Sequence, residues 1–281
     1  NPYNRIFLER AEEIFEKNLD REPNDFTALH TLVRIKNLLL KREEGIARVQ
    51  ETIQMFPDRA PGFSFDLGLL YDQSGNKGEA RRFYELALKN DPNYIPAHIF
   101  LSRLAVGTID TPTDIAAMRA HAQKAIELSS APHQQKNRAL AYAFLAESYL
   151  YEDNVAQAVA QAVAQAKKGV ELNPVCARCV HVLGEALVEK FRKSGKNPDK
   201  NDLGQGIALL QESLDLEPLL SHAYVSLGAG YWLNGEESRA REIWQRGLKI
   251  LSADYNYPEW YKPVIKKELE EALANPEAFS L

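Results

Sequence analysis

Cysteine is nearly absent from this chain of 281 residues: the stretch NPVCARCVH, residues 173–181, holds both copies, Cys176 and Cys179. Two cysteines cannot make a disulfide framework, so their number leaves compartment and localisation open. Long apolar runs are missing as well. None approaches the roughly 18 residues that a membrane-spanning helix requires, so no helical span is expected. Excess positive charge is also lacking, with 34 Lys and Arg against 39 Asp and Glu and a net charge of −5. Nucleic-acid binders usually carry a basic face, which argues against phosphate-backbone binding as the main role. The first residue is Asn1 rather than Met, and no signal-peptide pattern follows. Removal of an upstream segment is therefore expected, the chain being a fragment or a processed form.

Catalytic signatures are missing too. There is no H-E-x-x-H and no G-x-S-x-G, and SGKNPDKND lacks the spaced glycines of a phosphate loop. From Asp199 a calcium-loop pattern fails at Leu203 and again at Leu210, where a bidentate Glu is needed. No enzyme and no cofactor are expected. What is present is a globular composition, 45% hydrophobic and 26% charged, with ample material for a core.

That material is periodic. Residues 62–94 place Leu67-Gly68, Tyr71, Ala80, Tyr84, Ala87 and Pro92 at offsets that recur as Leu227-Gly228, Tyr231, Ala240, Trp244 and Gly247. More worn copies keep Leu29, Leu32 and Pro57; Leu101 and Ala125; Leu145-Ala146, Tyr149 and Pro174; and Leu183-Gly184 and Pro218. Six units result, at 26–57, 61–92, 95–130, 139–174, 177–218 and 221–252. A leading half-unit occupies 1–24. Four extra residues fall in the tandem word VAQAVAQAVAQA, which lengthens a helix by about one turn. Ten extra residues between Leu187 and Pro218 are expected to form the loop RKSGKNPDKNDLGQG, punctuated by Gly, Pro and Asn. Beyond the units, Trp260, Val264, Ile265, Leu269 and Leu273 line one side of an amphipathic helix at 258–274, suited to cap the last unit, with 275–281 as a tail.

These offsets resemble the tetratricopeptide repeat (TPR), W-x2-L-G-x2-Y, then A-x3-F, then P, over about 34 residues. The resemblance covers residues 1–252. It implies an all-α fold, a right-handed superhelical solenoid of antiparallel helix pairs in one continuous domain. Gly or Ala at 68, 146, 184 and 228 is expected to let paired helix backbones approach closely. In this family the first helix of each unit lines a concave groove that holds a peptide or helical segment of another protein.

Helical phase then nominates groove residues. Phe65, Leu69 and Ile99, and later Tyr151 and Trp232, are the expected apolar anchors. The alternative is that these side chains are core. Arg103 and His181 share the same phase. Glu147, Glu185 and Glu189 cluster toward the C-terminal end and favour a ligand with a basic group, unless they are merely a solvated face. His30, Arg34 and Asp72 occupy positions where chaperone-binding members of the family use lysines and asparagines, so a carboxylate clamp is not expected. A second reading is self-association: Ile6, Ile14 and Phe15 of the leading half-unit have no first-half helix before them.

Cys176-Ala-Arg-Cys179 falls at the start of a first helix. Haem attachment fails because Val180 stands where C-x-x-C-H needs histidine. Zinc would need Cys176, Cys179, His181 and Glu185 together, yet the last two point to a different helix face from Cys176. A helix N-terminus lowers a thiol pKa, so a redox dithiol is a further alternative. The reading adopted is that both cysteines are small packing residues.

Overall fold

The computed structural model describes residues 2–105, 112–152, 156–194, 198–254 and 256–279, and the described elements are helical. Among the described residues fourteen α-helices follow in adjacent pairs, the architecture of an all-α TPR-like solenoid. By compactness the chain divides into two units, residues 1–97 with 258–260, and residues 98–257 with 261–281.

The first unit contains α1 (Pro2–Arg21), α2 (Phe26–Leu38), α3 (Arg42–Met55), α4 (Ser64–Gln73) and α5 (Lys77–Asn90). The Asp25 carboxylate accepts from the Ala28 amide at 2.9 Å, and Asn76 Oδ1 from the Glu79 amide at 3.1 Å, so α2 and α5 start on capping side chains. Leu19, Leu29, Leu32, Val49, Phe63 and Leu70 bury the core. Beside it the Lys36 ammonium, 4% exposed, reaches Glu12 Oε1 at 2.9 Å, Glu16 Oε1 at 2.9 Å and Glu44 Oε2 at 3.1 Å. Gly75 turns α4 into α5 with φ of 96°; at the matching turn from α2 to α3 stands Leu40, with φ of 63°. The segment 258–260 belongs to this unit. The Trp260 indole donates to Asp72 Oδ1 at 2.9 Å and lies 3.7 Å under the Lys77 ammonium. Trp260 is thus not part of a capping helix, as its spacing from Val264 had suggested.

The second unit contains most of α6 (Ile95–Ala105), then α7 (Pro112–Leu128), α8 (Gln135–Leu150), α9 (Ala156–Leu172), α10 (Ala177–Lys193), α11 (Lys200–Leu216), α12 (Ser221–Leu233), α13 (Glu237–Ile250) and α14 (Lys262–Ala274). The ten extra residues expected as a loop at 192–206 are mostly helix instead. α10 and α11 each run 17 residues, against 10 and 14 for α4 and α5. The reason is local: Asp199 caps α11 through the Asn201 amide at 2.9 Å, and glycines 204 and 206 are carried inside the helix rather than breaking it. Residues 195–197, with Lys196, lie outside the described residues.

Small residues do different work along this unit. A Cβ on Gly184 would stand 2.9 Å from the Gly206 carbonyl, so here two backbones do approach closely. At Gly228 the space belongs to a side chain: a Cβ would meet Trp244 Nε1 at 2.2 Å. Gly68 in the first unit is covered in the same way by the Tyr84 ring at 2.5 Å. The glycine of the Leu-Gly pair therefore seats the aromatic of the second helix. α14 buries Ile265 and Leu269, and the Leu269 methyls lie about where a Cβ on Gly247 would touch them, at 3.1 Å and 3.2 Å.

Candidate functional site

The second unit gathers ionisable side chains on one face of α8, α10 and α12, with α14 beside them. Helical spacing does the gathering. Positions four apart share a face, so α8 presents Glu147 and Tyr151, α10 presents His181, Glu185 and Glu189, and α12 presents His222 and Ser226. α14 adds Glu268 and Glu271.

The charges are partly spent on one another. Glu147, 6% exposed, accepts from Arg178 Nη1 at 2.6 Å. Arg178 also packs its guanidinium over Phe144 and Tyr257. Glu189 accepts from Arg192 Nη2 at 2.6 Å, with Lys193 Nζ at 3.8 Å. Glu185 and Glu268 have no such cation among the described residues. Glu185 Oε2 lies 3.8 Å from His181 Nε2, and the Ser226 hydroxyl donates to its Oε1 at 3.3 Å. His222 Nε2 lies 3.2 Å from Glu268 Oε2.

The electrostatics follow from that division. Burial, with Glu147, Glu189 and Glu268 nearby, lifts the Glu185 carboxyl to about 7 against the opposing pull of His222. Burial pushes His222 down, but Glu268, Glu185 and Glu147 outweigh it and raise its pKa to about 9. Burial and the neighbouring His222 and Arg178 hold His181 well below its ordinary value, so its imidazole is neutral. Burial raises Tyr151, Tyr257 and Tyr261, which stay protonated.

Three cavities border this face. One of about 530 Å³ has Val188, Val225 and Ala229 as apolar wall and Glu185, Glu189, Glu268 and Glu271 as polar wall. A smaller one of about 230 Å³ touches Glu147, Tyr151, Glu185 and His222. A third of about 380 Å³ is lined by Ile99, Arg103, Phe144 and Arg178 among others.

The nominated residues therefore separate. Phe65 and Leu69 are half-buried in the first unit, where Phe65 packs against Tyr84 and Tyr94 with ring centres at 5.6 Å and 5.4 Å. Also in that unit, His30 bonds the Asp66 carboxylate and stacks on Phe63. In the second unit Ile99 is 3% exposed, and Arg103 folds its guanidinium over Phe100 at 4.4 Å. Tyr151 is half-buried and hydrogen-bonds Tyr261. Trp232 lies 6.3 Å from the Trp244 ring, with Arg241 over its face. Glu185 and Glu189 meet in the 530 Å³ cavity, and His181 is fully buried. Arg178, His222, Ser226 and Glu268 were not nominated. Arg178 and His222 occupy one register position, six residues before Gly184 and Gly228, one turn N-terminal to where the nominated stripe began.

Cys176 and Cys179 are joined as a disulfide, with Cα atoms 5.2 Å apart. Cys176 is also the N-cap of α10, its sulfur accepting from the Cys179 amide at 3.2 Å. Both thiols are consumed, so the four-ligand zinc reading that used them does not describe this state.

No protein-family model matches the chain, and no curated protein sequence does. Solved structures share its fold at low identity. A tetratricopeptide repeat protein from Parabacteroides merdae is 13% identical with a TM-score of 0.59, over 94% of this chain and 91% of that one. PilW, a type IV pilus biogenesis factor, is 13% identical at 0.58, over 85% and 97%. The Cut9–Hcn1 hetero-tetramer of the APC/C is 14% identical at 0.62, over 95% of this chain and 45% of that one. The chain has the fold of the tetratricopeptide repeat proteins.

Proposed function

We propose that the chain is a non-catalytic interaction module whose second unit holds a peptide or helical segment of a partner protein against α10, α12 and α14. The observation that carries this is the 530 Å³ cavity, apolar along Val188, Val225 and Ala229 and acidic along its other wall. An apolar wall with convergent polar groups is the usual form of a recognition site, and four carboxylates along one wall select a segment carrying Lys or Arg. Fold alone does not assign function; the cavity's chemistry supports this reading. Among the solved neighbours, Cut9–Hcn1 is itself an assembly of different proteins, which is consistent with such a role.

The test is selection from a displayed peptide library on the purified chain. Enriched sequences should pair a basic residue with small apolar ones. Glu189→Lys with Glu271→Lys should weaken them at least about tenfold, or about 1.4 kcal/mol, with helicity unchanged. No enrichment, or affinity indifferent to the charge reversal, overturns the reading.

Self-association has one observation in its favour. On α1, Ile6 is 59%, Phe7 69% and Ile14 54% exposed, and exposed apolar patches find partners. Light scattering decides it: a strictly monomeric species at high concentration excludes this role.

A further inference from the structure

Four donor groups converge in the second unit. His181 and Glu185 stand one turn apart on α10, His222 comes from α12 and Glu268 from α14. Ligand atoms of His181, Glu185 and His222 all lie within 4.8 Å of one another. Within the set, His181 Nε2 is 3.8 Å from Glu185 Oε2 and His222 Nε2 is 3.2 Å from Glu268 Oε2. A tetrahedral ion with bonds of about 2.0–2.1 Å places its donors roughly 3.3 Å apart, so rotamer adjustments suffice to close the set.

We propose that His181, Glu185, His222 and Glu268 bind one divalent transition-metal ion of the zinc class. Imidazole and carboxylate donors together suit such ions. Glu268 Oε2 is buried and makes no aligned hydrogen bond, and His181 is 0% exposed with an unbonded Nδ1, so the set is under-satisfied as it stands. Such buried polar atoms are rare without a reason. Charge points the same way. Glu147 is paired with Arg178 and Glu189 with Arg192, whereas Glu185 and Glu268 have no lysine or arginine partner among the described residues and face only the two imidazoles. Metal binding displaces the His222 proton, and the ion then balances the carboxylates. The adjoining cavity supplies an entry path and room for a water or an outside ligand. The Ser226 hydroxyl, 3.3 Å from Glu185 Oε1, keeps that carboxylate oriented. The site shares Glu185 and Glu268 with the cavity wall but does not rest on the peptide reading, whose test reverses Glu189 and Glu271, which are not ligands here.

The probe is Zn2+ added to the chelator-stripped full chain, read by competition with a chromophoric chelator and by X-ray absorption. One ion per chain is expected, in a shell of nitrogen and oxygen without sulfur, and Tm should rise with Zn2+. Glu185→Gln and His222→Gln should each weaken binding at least tenfold while the metal-free Tm and helicity stay near wild type. His121→Gln removes the separate His98–His121 contact, at 3.0 Å between Nδ1 atoms, and should leave affinity unchanged. Absence of stoichiometric binding overturns the proposal. So does binding that survives both cluster substitutions, is lost in His121→Gln, or shows sulfur ligands. If a cluster variant proves unfolded, the same comparison is made with Glu268→Gln, whose carboxylate is 36% exposed.

Discussion

Replacing Gly228 by alanine tests how the paired helices are held. In an ordinary helix the change adds about 1 kcal/mol of stability, because glycine is the poorer helix former. Here the new Cβ would lie 2.2 Å from Trp244 Nε1 and 2.5 Å from Cδ1 and Cε2, against a contact distance of about 3.5 Å. Trp244 is 0% exposed and its indole donates to the Val225 carbonyl at 3.1 Å. The ring must move by more than about 1 Å, which breaks that bond. Overpacking costs about 1–3 kcal/mol and an orphaned buried N–H about 1–3 kcal/mol. Net of the helix gain, Gly228→Ala should destabilise by about 1–5 kcal/mol. Urea unfolding followed by circular dichroism and tryptophan fluorescence measures it. In a Trp244→Phe background the same substitution should cost under about 1 kcal/mol, because the two changes share one space. A Gly228→Ala chain as stable as wild type, or more so, would refute the packing account.

Three further outcomes are expected. Leu40 adopts φ of 63° where the matching turns at 75 and 235 use glycine, and it is 55% exposed, so Leu40→Gly should raise the urea midpoint by about 1 kcal/mol equivalent. Lys36→Ala leaves the buried Glu12 with Lys41, at 2.7 Å, as its remaining cation and should cost about 1–3 kcal/mol by urea titration. Burial opposes ionisation of Glu12, but Lys41 and Lys36 hold its pKa below the ordinary value. That stability is present above the unfolded value of about 4.3 and lost as pH falls through the folded one, so Lys36→Met should flatten the acid limb of the stability profile. The Asp66 bond raises the His30 pKa against the opposing effect of burial. Its contribution is complete below about pH 6.5 and lost as pH rises through the raised folded value. Asp66→Asn should bring the His30 NMR titration back down; an unmoved midpoint would contradict the pairing.

The helix pairs were legible because Leu-Gly on one helix and an aromatic on the next recur at fixed offsets, and the structure explains the offset as a ring seated on a glycine. The path of 258–260 was not legible. Trp260 fits a helical stripe with Val264, yet its indole answers to Asp72, a partner 188 residues away that no spacing encodes. Helices α10 and α11 were misjudged because Gly, Pro and Asn in 192–206 signal a loop, whereas the helices absorb Gly204 and Gly206. The acidic stripe on α10 was visible in phase. The pairing of Glu189 with Arg192 is a local one, three residues apart, whereas that of Glu147 with Arg178, 31 residues away, arises only in three dimensions. His222 and Arg178 sit one turn outside the nominated stripe, so the cluster they complete was hidden by where the stripe was taken to start. The C-x-x-C reads in the sequence as two packing residues, whereas one helical turn places the two sulfurs in bonding reach and they form a disulfide.

The central claim is that the α10–α12–α14 face of the second unit holds a partner protein. The most direct measurement is photocrosslinking in the native cells, with a photoreactive residue at position 271 on the cavity wall or, separately, at exposed position 249 on α13. The account predicts a discrete protein adduct from 271 that is absent from 249 and is lost when Glu189→Lys is added. Adducts that are equal at both positions, or absent from 271, would contradict it.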